Sequence, residues 1–461
     1  MEINGFRGQL ITADHADYND ARAIWNGAID RHPRLIARCS GAADVAAALR
    51  FARDHGLEVA VRGGGHNVAG TAVCDDGIVI DLSEMRAVWV DPASRTARVQ
   101  GGALWGDVDH ESQVHGLATT GGIVSHTGVA GLTLGGGIGW LMRKHGLAVD
   151  NLLAAHVVTA DGEMLGVSED EHSDLFWALR GGGGNFGVVT SFDFRLHPVG
   201  PDVLAGPVLW DAADTNEVLR FYRDFAHDAP DELGTVVRFG TAPPLPVIPE
   251  ELHWRPVVIV TCCYAGPMEE AERVLRPLRS FGVPLLDLVG PTSYVAHQNG
   301  IDSTVRHGWN YYWKSTFLPE LSDDLVNVIT EHAFAGSSPR SYAVLFHLGG
   351  AVSRVSPSDT AFGHRHVSHA ITLDAVWQPD DDYGDHDIAW TRNFFASLDR
   401  FRDGVYVNFL GADEEAYRVR EAYGDAVYDQ LASVKAKYDP DNVFHHNQNI
   451  GPRTKARIVT V

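Results

Sequence analysis

The run Val61-Arg62-Gly63-Gly64-Gly65-His66-Asn67 places a basic side chain, three glycines and a histidine at the end of an apolar stretch. Consecutive residues without a Cβ let backbone N–H groups close on a pyrophosphate, and Arg62 would add charge there. The pattern is not the Walker A loop, which ends in Gly-Lys-Ser/Thr. Nor is it the Rossmann G-x-G-x-x-G, which leads straight into a helix. Taken alone, the segment reads equally well as a tight turn leaving a strand, with an incidental histidine. A second small-residue run covers 119–139 and includes Gly121-Gly122, His126-Thr127-Gly128 and Gly135-Gly136-Gly137. Such a run suits neither helix nor strand, and its backbone is expected to pack against something flat or charged. A third, Arg180-Gly181-Gly182-Gly183-Gly184-Asn185-Phe186-Gly187, follows a helical pattern containing Leu175, Phe176 and Ala178. It can equally be a turn that ends that helix. With the first cluster in view, a large planar cofactor is the better explanation of the second.

Other candidate groups are weaker. His445-His446 resembles a metal pair, but adjacent side chains on an extended segment point to opposite faces, so no metal site is expected. The four cysteines, Cys39, Cys74, Cys262 and Cys263, show no CxxC spacing. Neither a disulfide framework nor a zinc site follows, and reduced thiols in a cytoplasmic protein are the expectation. Trp309, Tyr311, Tyr312 and Trp313 form an aromatic cluster that suits either a substrate wall or core packing.

The elements that must position these groups are partly readable. Ser40 is a reasonable N-cap, Val45, Leu49 and Ala52 share a face, and Gly56 stands where a C′ glycine ends a helix. Strands are expected at 57–61 and 78–82, a hairpin at 88–90 and 96–99, and a helix over 104–115. Helices mixed with short antiparallel strands indicate an α+β fold and not a doubly wound parallel sheet. His197-Pro198-Val199-Gly200-Pro201 makes a natural boundary. Beyond it the glycine clusters vanish, and strand-like runs (257–262, 342–348, 370–377) alternate with helical patterns (268–281, 323–333, 387–400). Two helices are expected near 413–423 and 428–438.

The chain has 461 residues, 45% of them hydrophobic and 21% charged. At ~100–200 residues per domain this predicts two or three folded domains. A formal charge of −23 argues against nucleic acid or an anionic membrane as partner, because both need clustered Lys and Arg. No apolar stretch approaches the ~18 residues of a membrane span, and the start lacks a secretory leader pattern.

In this order, these segments resemble the berberine bridge enzyme-like group of the vanillyl-alcohol oxidase superfamily. The resemblance spans nearly the whole chain. It takes in 40–56, 61–70, 127–150, 180–190, Tyr311-Tyr312-Trp313-Lys314-Ser315, 349–365 and the tail run Tyr438-Asp439-Pro440-Asp441-Asn442 through Asn447-Gln448-Asn449-Ile450. It implies a bipartite FAD-binding domain of two α+β subdomains, with an inserted substrate domain of antiparallel sheet backed by helices. The corresponding ranges are 1–200 and 413–461 for the FAD-binding domain and 201–412 for the substrate domain. FAD would be bonded to His66, with Arg62, Gly63, Gly64, Gly65 and Asn67 around its pyrophosphate and ring edge. Thr127, Gly128, Gly131 and Leu132 would line it, Val189 would lie near the adenine, and Asn447 and Asn449 would hydrogen-bond the flavin. Many relatives add a second link through a cysteine four residues before the glycine matching Gly128. Here that position is Val124, so a single link through His66 is expected.

The implied chemistry is hydride abstraction from a C–OH or C–N centre of a secondary metabolite, sugar or alkaloid-like molecule. Dioxygen would reoxidise the flavin to give hydrogen peroxide. Acid–base residues are expected on strands facing the flavin, at 342–348, 369–377 and 405–409. Tyr406 is the first candidate, with Asn408 beside it and His369 second; the position of the plant glutamate falls near Thr372. Without a base, an amine would have to arrive deprotonated. A poorly oxygen-reactive dehydrogenase and a drug-sequestering flavin carrier are the alternatives, and self-association into a homo-oligomer stays open.

Overall fold

The computed structural model describes residues 2–453. Helix Ala42–His55 ends at Gly56 in the left-handed region (φ 61°), as its sequence pattern predicts. Ser40 serves the helix start indirectly, its hydroxyl donating to Asp44 at 2.7 Å. The helix covers a four-stranded sheet ordered Gln9–Ile11, Leu35–Arg38, Ile78–Asp81, Val59–Arg62; the first pair is antiparallel and the others parallel. A second, fully antiparallel sheet runs Val88–Asp91, Thr96–Gln100, Val188–Arg195, Leu152–Val158, Met164–Ser168. Helices Trp105–Gln113 and Ser173–Leu179 pack on it.

Strand Asp202–Asp211 enters a third, larger antiparallel sheet. Its central order is Asp202–Asp211, Pro256–Tyr264, Leu233–Thr241, Tyr342–His347, His369–Trp377, Asn310–Leu318. Helices Thr215–His227, Met268–Arg279, Asp323–His332 and Gly384–Ser397 share one apolar core with one face of this sheet. The opposite face turns toward the two smaller sheets, where Tyr342, Phe346 and Tyr406 join Trp25 and Trp140 in a common core. The fold is thus α+β, with the third sheet inserted into a bipartite unit made of the two smaller sheets and the C-terminal tail.

The tail closes that unit. Leu431 and Tyr438 of helix Asp425–Tyr438 enter the core of the second sheet, and Phe444 enters that of the first. The Lys435 ammonium, wholly buried, donates to Asp439 at 2.6 Å and to the carbonyls of Asn185 and Phe444 at 2.7 and 2.9 Å. The Asn185 side chain in turn accepts from Ile450 N–H at 2.9 Å. These bonds fix the tail against the third glycine cluster. One expected strand is not there: 405–409 lies outside every sheet, and Val407–Phe409 makes a 3-10 turn instead. Tyr406 therefore gains its position from side-chain hydrogen bonds and not from a ladder.

Candidate active site

A cavity of about 380 Å³ lies where the three sheets meet. All three glycine clusters reach its wall, although they are separated by some 120 residues of chain. The first two interlock. A Cβ on Gly64 would stand 2.5 Å from Gly128 N and Cα, so neither loop tolerates a side chain at that crossing. Among the described residues, no backbone N–H from Gly63 to Asn67 finds a protein acceptor. A row of free donors at a cavity wall suits a pyrophosphate. Gly131 lies in the short helix Val129–Leu134, and a Cβ built there meets nothing within 4 Å. The space over that helix is open for a flat ring. From the tail, Asn447 contributes an Oδ1 that is buried and unpartnered, again a group awaiting a ligand.

His66 sits on this wall with its ring stacked on Trp25, centroids 4.3 Å apart. Trp25 is itself held by Val305, whose carbonyl accepts from the indole at 3.0 Å. His66 Nε2 meets His126 Nδ1 at 3.1 Å, which leaves His66 Nδ1 free of side-chain partners. Burial, with His126 and His307 nearby, holds its pKa well below the ordinary histidine value. The imidazole is therefore neutral and nucleophilic. The donor row, the open helix surface, the orphaned amide and this histidine all fit FAD.

Most residues expected at the cofactor are on the wall: Gly63, Gly64, Gly65, His66, Asn67, Thr127, Gly128, Gly131, Leu132, Val189 and Asn447. Asn449 is not, and its neighbour Gln448 is. Arg62 is a correction. Its guanidinium lies behind the loop, donating Nε–H to buried Asp81 at 3.1 Å and Nη–H groups to Asp81 and the Ala21 carbonyl. It braces two parallel strands in register at Arg62 and Asp81, and its side chain is not on the cavity wall.

Tyr406 and Asn408 both reach the cavity. The Tyr406 hydroxyl accepts from Gly137 N–H at 2.8 Å and from the Asn408 amide at 2.9 Å. Both lone pairs are taken, so its proton is the free end. Burial, partly offset by these two bonds, pushes its pKa up to about 12. At neutral pH it is a hydrogen-bond donor.

His369 is a second correction. Along His369–Trp377 side chains alternate, and the odd-numbered residues Ile371 and Leu373 join the helix-backed core. His369 shares that face, its ring 5.3 Å from His347 and 6.4 Å from Tyr222. Burial lowers its pKa to about 3. The even-numbered residues face the cavity, and among them sequence reasoning passed over Asp374. The signal was present: a carboxylate in an apolar strand, two positions beyond Thr372 and so on the same face. Arg238, Tyr342 and Trp313 line the cavity beside it.

Comparison with known proteins agrees with this geometry. Residues 33–168 match the family model described as FAD binding domain, and residues 405–451 match that for berberine and berberine like. The chain is 34% identical over 463 residues to (R)-6-hydroxynicotine oxidase of Paenarthrobacter nicotinovorans, covering 97% of each. The crystal structure of 6-hydroxy-D-nicotine oxidase from Arthrobacter nicotinovorans superposes with a TM-score of 0.87 at 32% identity, over 97% of this chain and 98% of that one. Glucooligosaccharide oxidase from Acremonium strictum, described as carrying 6-S-cysteinyl, 8α-N1-histidyl FAD, gives a TM-score of 0.85 at 25% identity, over 97% and 98%. The chain belongs to the berberine bridge enzyme-like family of the vanillyl-alcohol oxidase superfamily. It is an enzyme, an FAD-linked oxidoreductase.

Proposed function

We propose that this chain is an oxidase that removes hydride from a C–OH or C–N centre of a small molecule, using FAD tethered through His66 alone. The observation that carries the reading is His66 itself: neutral, held by Trp25 and His126, and set beside the free N–H row of Gly63–Asn67 on one wall of the cavity. The relative described as 6-S-cysteinyl, 8α-N1-histidyl bears two links. In this chain Val124 lines the same cavity as His66, and all four cysteines are buried off its wall, which supports a single link.

Bound there, FAD supplies the two-electron acceptor. The protein positions and protects. Gly63–Asn67 would hold its pyrophosphate, Asn447 would hydrogen-bond it from the tail, and the Tyr406 hydroxyl offers its proton to the cavity. The apolar surfaces of Trp140, Val236, Val344 and Phe346 exclude water around the reacting carbon. We take dioxygen as terminal acceptor, hydrogen peroxide as product, and the cytoplasm as location, in keeping with four unpaired thiols. The boundaries proposed are 1–200 and 413–461 for the cofactor unit and 201–412 for the substrate unit.

Acid precipitation tests the tether: colour stays with the protein pellet, and His66→Ala moves it to the supernatant. Oxygen uptake with peroxide release across a panel of alcohols and amines tests the activity. Donors that bleach the flavin without consuming oxygen would make the protein a dehydrogenase instead.

A further inference from the structure

One cationic side chain on the substrate half of the cavity lacks a counter-ion. Along Leu233–Thr241 the side chains alternate, so Val237 and Phe239 join the helix-backed core while Val236 and Arg238 face the cavity. The Arg238 guanidinium lies over the Tyr342 ring, 4.6 Å from its centroid, and donates to the Thr241 carbonyl at 2.7 Å. Gly240 makes room for it, since a Cβ there would stand 3.5 Å from Arg238 Cζ and 3.0 Å from Tyr342 Cβ. Among the described residues the guanidinium has no other hydrogen-bond acceptor and no carboxylate partner. The buried arginines are better served. Arg62 meets Asp81, Arg365 meets Asp150 and Arg418 meets Glu414, while Arg143 has three carbonyls and His347.

The neighbouring wall does not neutralise this charge. Asp374 is 2% exposed, and burial outweighs both Arg238 and the Thr372 hydrogen bond, so its carboxyl is held well above the ordinary range and stays uncharged. Its Oδ1 has no hydrogen-bond partner, and neither has the buried Nε1 of Trp313, directly across the strand pair. An uncharged carboxyl and an indole are both donors. His66 is neutral as well. This wall therefore sets donors beside a lone cation, and the group it lacks is an anion. One cation suits a monoanion, whereas a phosphate dianion would be only half compensated. A protonated amine would meet a like charge, and a neutral sugar would leave the guanidinium unpaired.

Resting on the reading that a small molecule is oxidised beside a flavin in this cavity, we propose that the substrate carries a carboxylate and that Arg238 receives it. The edge of the guanidinium offers N–H groups in one plane, which match the two oxygens of a carboxylate, while its face stays on Tyr342. Tyr342 and Thr241 hold the group in place, so little ordering is needed when the anion arrives. Val236, Val344 and Phe346 then cover an apolar or aromatic body. The substrate class is a small carboxylic acid whose apolar body bears the alcohol or amine carbon to be oxidised.

Three probes that share a benzyl alcohol and differ at the para position test this: para-hydroxymethylbenzoate, its primary amide, and para-aminomethylbenzyl alcohol. Isothermal titration of the holoprotein reads each affinity. The carboxylate should bind at least about tenfold more tightly than the amide, with the ammonium weakest. Arg238→Met, folded and yellow, should bring carboxylate and amide to equal affinity, and Arg238→Lys should keep part of the preference. Equal affinities in the parent, a preference that survives Arg238→Met, tightest binding of the ammonium, or no binding of any probe at millimolar concentration would each overturn the proposal. A flavin midpoint potential lowered in Arg238→Met, with the preference intact, would place the guanidinium on the flavin instead. A colourless protein that keeps the Arg238-dependent preference would defeat the flavin reading and leave this one standing; a yellow protein without the preference would do the reverse.

Discussion

Arg62→Met separates a bracing role from a phosphate-binding one. In the structure Asp81 is fully buried and meets Arg62 through both carboxylate oxygens. Removing one partner of a buried ion pair costs about 3–5 kcal/mol. Asp81 would keep Arg38 Nε at 3.2 Å and Ser83 N–H at 3.0 Å, which favours the lower figure. With unfolding entropy of ~2.1 cal/mol/K per residue over ~200–450 cooperatively unfolding residues, a loss of ~3 kcal/mol lowers Tm by ~3–7 °C. Differential scanning calorimetry on apoprotein gives the shift, and titration with FAD gives affinity separately. The double variant Arg62→Met, Asp81→Leu should recover most of the loss, because packing replaces the pair and the partly exposed Arg38 can turn to solvent. If Arg62→Met kept the parent Tm but bound FAD far more weakly, the guanidinium would belong on phosphate and the bracing argument would fail.

Three further outcomes follow from the geometry. In a His66→Ala background, where binding is reversible, Gly131→Ala should stabilise the apoprotein by ~0.5–1 kcal/mol and weaken FAD, since its methyl enters the open space over the helix; unchanged FAD titration would remove that helix from the site. Burial, aided by Asp302 and opposed by the Gln298 hydrogen bond, lifts Asp109 to about 7 from 3.8. Its folded pKa is the higher, so the stability it contributes is complete below about pH 4 and lost as pH rises toward about 7. Asp109→Asn should therefore gain in Tm over the parent across that window and hold a constant gap above it, whereas parallel Tm curves would contradict the assignment. His369→Gln should leave kcat and its pH profile unchanged, because the ring faces the helices; a fall of about a hundredfold at normal Tm, the size of a lost general base, would return it to the site.

The cofactor side was legible because glycine reports on backbone approach directly. The contact of Gly64 with Gly128 and the open face at Gly131 are each visible as missing side chains. Helix 42–55 was legible for a related reason, since Gly56 adopts the left-handed conformation its type permits. The substrate side was harder. His369 and Asp374 lie on one strand but on opposite faces, since a single residue of register inverts which face a side chain joins. Arg62 misled because its partner Asp81 is nineteen residues away, and only the parallel pairing of their strands brings the two together. Tyr406 sits on no strand at all, and the bonds from Gly137 and Asn408 that place it cross more than half the chain or turn back on themselves.

The clasp of Lys435 on Asn185 and Phe444 has a consequence for synthesis. The cofactor unit cannot close until residues near 450 have left the ribosome, long after its first two sheets have emerged. At ~5–20 residues per second, the ~250 residues from the middle boundary to that clasp take ~13–50 s to make. Through that interval the glycine loops wait half-assembled, with apolar surface that Leu431, Tyr438 and Phe444 will later cover. Flavin capture is thereby a final act of assembly, and truncations that remove only the last turn of the clasp should yield chains that are colourless and chaperone-bound.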